Sequence, residues 1–205
     1  MHPKVLSEEA WTTVRSMAGG GWFDSWVLAG GTGLALHVGH RYSEDLVLFG
    51  RQSFDPAELA QSLSGIGRVG VQQIAEDILH LELNGLRVSF LRARPPLLFP
   101  GTSYRRLTVA DPRDIAVMKV IAIAGRGSRK DFVDLFFYLK SGGTLPGVLS
   151  LVDQRYQEVD FNTYHLLKSL VYFRDAEEEP MPRMIKPVAW DAVKELLIAE
   201  VRRLS

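Results

Sequence analysis

The strongest local constraint in this chain is the stretch 78–91. Ile78-Leu79-His80-Leu81-Glu82-Leu83 alternates, Asn84-Gly85 follows, and Leu86-Arg87-Val88-Ser89-Phe90-Leu91 alternates again. A period of two sends successive side chains to opposite faces of a strand. Asn-Gly supplies the left-handed backbone that a two-residue hairpin turn requires. The expected pairing sets Leu83 opposite Leu86, Glu82 opposite Arg87, Leu81 opposite Val88 and His80 opposite Ser89. One face is then apolar, built from leucines, Val88 and Phe90. The other carries His80, Glu82, Arg87 and Ser89.

The rest of the chain divides around this hairpin. Ser7 is placed to cap a helix over 7–18, with Glu8 and Glu9 in its first turn and glycines at its end. Residues 26–29 form a short apolar run that reads as a buried strand, and residues 34–38 follow at helical spacing. Residues 45–49 read as a second strand and 54–63 as an amphipathic helix with Pro56 near its start. Residues 94–101 are a proline-rich loop. Asp111-Pro112 opens a helix whose stretch 115–124 is apolar nearly all round, hence buried. A basic loop over 126–130 leads to a helix over 131–140, and 145–205 reads as two or three further helices. The expected fold class is α/β (α+β): a mixed sheet flanked by helices, over 1–143, then a helical region over 144–205 packed on it.

Charge excludes one large class of function. Lys and Arg number 24 and Asp and Glu 24 in 205 residues, so the chain lacks the basic surplus of a sequence-independent nucleic-acid binder. There is no cysteine, which removes disulfides, thiolate nucleophiles and Cys-ligated zinc. No run approaches the roughly 20 apolar residues of a membrane helix, and the N-terminal residues lack the apolar core of a signal peptide. A cytoplasmic protein with no membrane partner is expected. The histidines show no metal-binding spacing, and nucleophile-elbow and P-loop motifs are absent.

Four features carry candidate chemistry. Gly30-Gly31-Thr32 lies between a strand and a helix, where backbone amides approach a phosphate; the same residues serve equally well as a tight turn with a helix cap. Asp45 opens the next strand and suits a divalent metal, with Arg41 and Ser43 as further phosphate donors just before it. Lys119 is the lone charge in its apolar helix, and a buried ammonium needs a partner. Arg126, Arg129 and Lys130 cluster ahead of Asp131 and Asp134, which are three apart and so share a helix face. Lys119 and the basic loop together suggest an anion clamp.

In this order and spacing, residues 30–49 (Gly-Gly-Thr-Gly-Leu-Ala-Leu-His-Val-Gly-His-Arg-Tyr-Ser-Glu-Asp-Leu-Val-Leu-Phe) and 114–135 resemble the motifs of the AbiEii nucleotidyltransferase family, toxins of type IV toxin–antitoxin and abortive-infection systems. The segment 167–177 is a looser third match. The resemblance implies a polymerase-β-like core that binds a nucleoside triphosphate with Mg2+ and transfers a nucleotide to an RNA or protein acceptor, tRNA among them, under the control of a cognate antitoxin. It assigns nucleotide binding to Gly30, Gly31, Thr32, Arg41, Ser43, Arg126 and Lys130. It assigns catalysis to Asp45, Lys119, Asp131 and Asp134, and the metal to Asp45. Here the sequence departs from the pattern. The Asp-x-Asp pair reads Asp45-Leu46-Val47, and the third carboxylate of the fold falls near Ser89. An inactive relative that binds nucleotide or a partner is the alternative, and the expectation of Mg2+ is weakened accordingly.

Overall fold

A computed structural model describes residues 1–158 and 161–204. The part of the C-terminal helical expectation that falls on 159, 160 and 205 lies outside the described residues. Seven strands form one mixed sheet. In chain order they are β1 (Trp26–Ala29), β2 (Asp45–Gly50), β3 (Val69–Ala75), β4 (Ile78–Leu83), β5 (Leu86–Arg92), β6 (Thr102–Tyr104) and β7 (Leu107–Val109). Their spatial order is β3-β4-β5-β2-β1-β7-β6, with β2 parallel to β5, β1 parallel to β7, and the other neighbours antiparallel.

The hairpin forms in the register that its alternation dictates, with Leu83 opposite Leu86 and His80 opposite Ser89. Leu79, Leu81, Leu83, Leu86, Val88 and Phe90 are buried, with Leu46 and Leu48 of β2, against α1 (Glu8–Gly19) and α3 (Pro56–Leu63). Each such side chain contributes about 1.5–3 kcal/mol by leaving water. The helix starts follow from their caps. Ser7 accepts from the Ala10 amide of α1, and Asp55 accepts from the Ala57 and Glu58 amides ahead of α3.

The opposite side of the sheet carries α2 (Gly30–Val38), α4 (Pro112–Gly125) and α5 (Arg129–Lys140). A second apolar cluster joins these helices to α6 (Leu145–Arg155), α7 (Thr163–Ser169), the short α8 (Arg174–Glu177) and α9 (Trp190–Arg202). The C-terminal region thus has four helical segments among its described residues, more than the two or three expected. α7 and α8 are too short to show a full amphipathic period. A strap over 182–186 runs back along the start of the β2 segment: the Tyr42 amide donates to the Arg183 carbonyl at 2.9 Å and the Ile185 amide to the His40 carbonyl at 2.8 Å. No single helix among the described residues is long and apolar enough to cross a membrane.

Candidate functional site

A cleft of about 690 Å³ opens between the polar face of β2-β5-β4, the start of α2, the α4–α5 junction and the strap. The turn from β1 into α2 forms its floor. Gly30 has φ +61°, and a Cβ there would meet the Val47 side chain at 3.3 Å. A Cβ on Gly31 would overlap the Arg41 guanidinium. The two glycines therefore let this turn lie against β2 and Arg41 without a side chain between. No side chain caps α2, so its leading amides face the cleft with the positive end of the helix dipole. Thr32 and Ser43 are buried beneath. Thr32 Oγ1 lies 2.6 Å from Ser43 Oγ and donates to the Asp45 carbonyl, and Ser43 Oγ donates to Asp45 Oδ1 at 3.3 Å. These bonds tie Asp45 to the first turn of α2.

The helical wall is a closed network of ion pairs. Lys119 of α4 is 5% exposed, and Asp131 and Asp134 of α5 are 0% exposed. Lys119 Nζ donates to Asp131 Oδ1 at 2.8 Å and to Asp134 Oδ2 at 2.6 Å. Arg41 grips Asp134 with two bonds, Nε to Oδ1 at 2.6 Å and a terminal nitrogen to Oδ2 at 2.9 Å. His40 Nε2 donates to Asp134 Oδ1 at 2.8 Å. Asp131 also accepts from Arg126 Nε at 3.0 Å and Ser128 Oγ at 2.7 Å. Each carboxylate oxygen is thus engaged, as burial of a charge demands. Burial pushes the Asp134 carboxyl up, but Arg41 and Lys119 overcome this and hold it well below the usual carboxylate range. Asp131 is lowered by the same balance, burial against Lys119 and Arg126. For Lys119, burial favours the neutral amine, yet Asp134 and Asp131 raise its pKa and keep it charged. Burial lowers His40 despite its bond to Asp134, which leaves it neutral.

The sheet wall has the opposite character. Val47 on β2 pairs with Ser89 on β5, and Ser89 with His80 on β4, so the three stand in one row; Asp45, Arg87 and Glu82 form the next. Ser89 Oγ lies 2.7 Å from His80 Nδ1. Carboxylate-bridged magnesium needs two or more acidic oxygens at one point. Asp45 supplies one, and Val47 and Ser89 stand where its partners would. Among the described residues no three His, Asp or Glu side chains converge as a metal-binding group. The residues present do not fit the carboxylate–magnesium site of the fold.

The structure brings Gly30, Gly31, Arg41, Ser43, Asp45, Lys119, Arg126, Lys130 and Asp131 to the cleft lining. Thr32 and Asp134 lie just behind it, in contact with lining residues. Arg129, expected to converge with the other cations, turns away instead. Its guanidinium donates to the Ala176 and Glu177 carbonyls at 2.7 and 2.9 Å and sits 4.8 Å from the Trp190 ring. The first turn of α5 rotates it toward α8 and α9. Arg87, His80 and Arg183 also line the cleft, where no site was expected at them, together with Tyr42 from the donor segment ahead of Asp45. The hairpin register carried the signal for Arg87 and His80, since their face is that of Ser89. Arg183, stacked 4.2 Å from the Tyr42 ring, is delivered from far along the chain.

Residues 14–97 match the family model described as "Nucleotidyl transferase AbiEii toxin, Type IV TA system". The uncharacterized protein aq_aa25 of Aquifex aeolicus is 36% identical over 204 residues, which cover 97% of each chain. Among solved structures, the nucleotidyltransferase toxin MenT4 (Rv2826c) of Mycobacterium tuberculosis H37Rv is similar with TM-score 0.56 and 20% identity, covering 88% of this chain and 76% of that one. JHP933 of Helicobacter pylori is similar with TM-score 0.53 and 15% identity, covering 96% of this chain and 89% of that one. The likeness to these structures is one of fold, and its mixed sheet and flanking helices are those described above. Sequence motifs and the matched family model agree, and the fold is consistent with them: the chain is similar to the AbiEii nucleotidyltransferase toxins over residues 14–97 and is nucleotidyltransferase-like.

Proposed function

We propose that the cleft binds a nucleoside triphosphate, with its phosphates over the start of α2. One observation carries this reading: six cationic side chains line the cleft against three carboxylates, in a chain whose net charge is zero. Such an uneven placement concentrates positive potential where a polyanion fits. The leading amides of α2 would hold phosphate oxygens. Arg41, Arg126 and Lys130 would neutralise them, and Lys119 would add charge from behind. Asp131 and Asp134 act on this reading as positioning residues, because their oxygens already hold Lys119, Arg41 and Arg126 in place. Asp45 is the acidic group nearest the α2 turn that is free of an arginine or lysine.

The family match over residues 14–97 supports transfer of the nucleotide to an RNA or protein acceptor, tRNA included, with a cognate antitoxin as protein partner and the cytoplasm as setting. Val47 and Ser89 favour a second reading, in which the chain binds nucleotide or a partner without transferring anything. Labelled forms of all four triphosphates, offered with a tRNA pool and with cell protein, separate the two. Labelled RNA or protein establishes transfer. Saturable binding by calorimetry with no labelled product establishes the binding module. Absence of binding for every triphosphate overturns the proposal.

A further inference from the structure

The sheet wall departs from the metal-dependent pattern in one coherent way. Across β2 and β5, Val47 and Ser89 offer an isopropyl group and a hydroxyl where that pattern sets carboxylates, and the row continues on β4 with the His80 imidazole. Val47 also fills space there, since it packs beneath Gly30. Magnesium takes oxygen ligands in strict octahedral geometry and is usually held by carboxylates together with substrate phosphates. A row without carboxylates does not gather it. It can, however, hydrogen-bond to an anion. Ser89 Oγ and His80 Nδ1 are 2.7 Å apart, and that one bond consumes one donor. If the Ser89 hydroxyl donates to Nδ1, His80 Nε2–H is left to face a ligand. If Nδ1–H donates to Ser89, the Ser89 hydroxyl is left. In either tautomer the pair keeps one donor for a phosphate oxygen.

The charges around this row remove the other need for a metal. Arg41, Arg87, Lys119, Arg126, Lys130 and Arg183 line the cleft against Glu44, Asp45 and Asp131. Asp131 is already paired with Lys119 and Arg126. In metal-dependent sites of this fold, acidic protein groups and an acidic triphosphate are reconciled by cations between them. Here the protein itself supplies the positive charge.

We infer that the cleft is a metal-independent polyphosphate site, in which the hydrogen-bonded pair His80–Ser89 donates its remaining proton directly to a phosphate oxygen. This rests on the nucleotide reading above and narrows it to the metal-free triphosphate. A magnesium-bound triphosphate carries less negative charge, so a positive cleft holds it no more tightly than the free form.

Calorimetric titration of the full chain with ATP, first in EDTA and then in excess magnesium, tests this. Saturable binding in EDTA, at least as tight as in magnesium, is the expected result. Binding that appears only with magnesium overturns the inference and leaves the nucleotide reading standing. No saturable binding in either buffer, for ATP or the other triphosphates, overturns both. His80→Ala and Ser89→Ala should each weaken binding in EDTA roughly tenfold, the worth of one hydrogen bond to a charged group. Wild-type affinity in both variants, checked as folded by circular dichroism, overturns the assigned contacts. Val47→Asp restores a carboxylate two positions from Asp45 and should make affinity rise on addition of magnesium. Indifference to magnesium in that variant overturns the role given to the Val47 row.

Discussion

The two walls of the cleft spend their charges differently. On the helical wall, Asp131 and Asp134 are buried and every carboxylate oxygen is held by Lys119, Arg41, Arg126, His40 or Ser128. On the sheet wall, Asp45 is half-buried, and the next row holds Val47, Ser89 and His80, none of them a carboxylate. Counting acidic residues near a cleft therefore misleads. A carboxylate already saturated by cations has no oxygen for a metal and no lone pair for a proton. What it does is hold those cations in fixed positions. The difference teaches that the acidic residues on α5 hold the cations of the helical wall in place, whereas on the sheet Asp45 stands without a second carboxylate at Val47 or Ser89.

The largest expected effect comes from breaking the helical wall. Asp134→Asn removes the charge that Arg41 and Lys119 share and leaves buried cations short of a partner. A loss of roughly 3–5 kcal/mol in urea denaturation is expected. A change under 1 kcal/mol would show that water reaches the network. Arg129→Ala is the next in size. It cuts the two bonds to α8 and the stacking on Trp190, for a loss of roughly 1–2 kcal/mol, with nucleotide affinity unchanged because Arg129 lies outside the cleft. Lost affinity in that variant would mean that the basic loop acts as one unit. Arg126→Ala should do the converse. Arg126 is largely exposed although it touches Asp131, so stability should shift by less than about 1 kcal/mol, while titrations at rising salt should show weaker nucleotide binding with a shallower salt dependence.

The smallest effect is one of pH. His37 and His40 are both lowered by burial from the ordinary histidine value of 6.5. The unfolded chain therefore takes up protons near pH 6.5 that the folded chain refuses. Stability is full above that range and falls as pH drops through it. The groups facing His40 are Asp134, Arg41 and Lys119, and Phe137 packs on its ring. Asp131 and Asp134, both lowered, add a second loss only below about 3.8. Denaturation between pH 8 and 5 should show the first decline, and His40→Gln should reduce it. A flat profile in the wild type would mean that the two imidazoles are as hydrated as in the unfolded chain.

Much of the frame was legible in the chain. The hairpin register follows from alternation and Asn84-Gly85, and the starts of α1, α3 and α4 follow from Ser7, Asp55-Pro56 and Asp111-Pro112. Three strands were not legible, each for a physical reason. β3 is a solvent-exposed edge strand, so no buried face imposed a period on Val69–Ala75. β6 and β7 are three residues each, too short for a pattern. Their turn uses Arg105 and Arg106 at φ 50° and 65°, a conformation that arginine rarely signals. In the site, the lone Lys119 announced a buried partner, and the partners are Asp131 and Asp134. The direction of Arg129 and the arrival of Arg183 left no such mark.

By itself, then, the sequence determined what is local or compositional. These are the hairpin and its two faces, the caps, the motif order that marks the family, and the absence of carboxylates at Val47 and Ser89. Short-range patterns encode these because neighbours in the chain are neighbours in space. Only the tertiary structure decided how charge is shared. Asp134 receives Arg41 and His40 from more than 90 positions away, and a strap near the C-terminus brings Arg183 to the same cleft. Whether a carboxylate is free to act or is locked to a cation depends on such distant partners, and pairing at that range is set by packing alone.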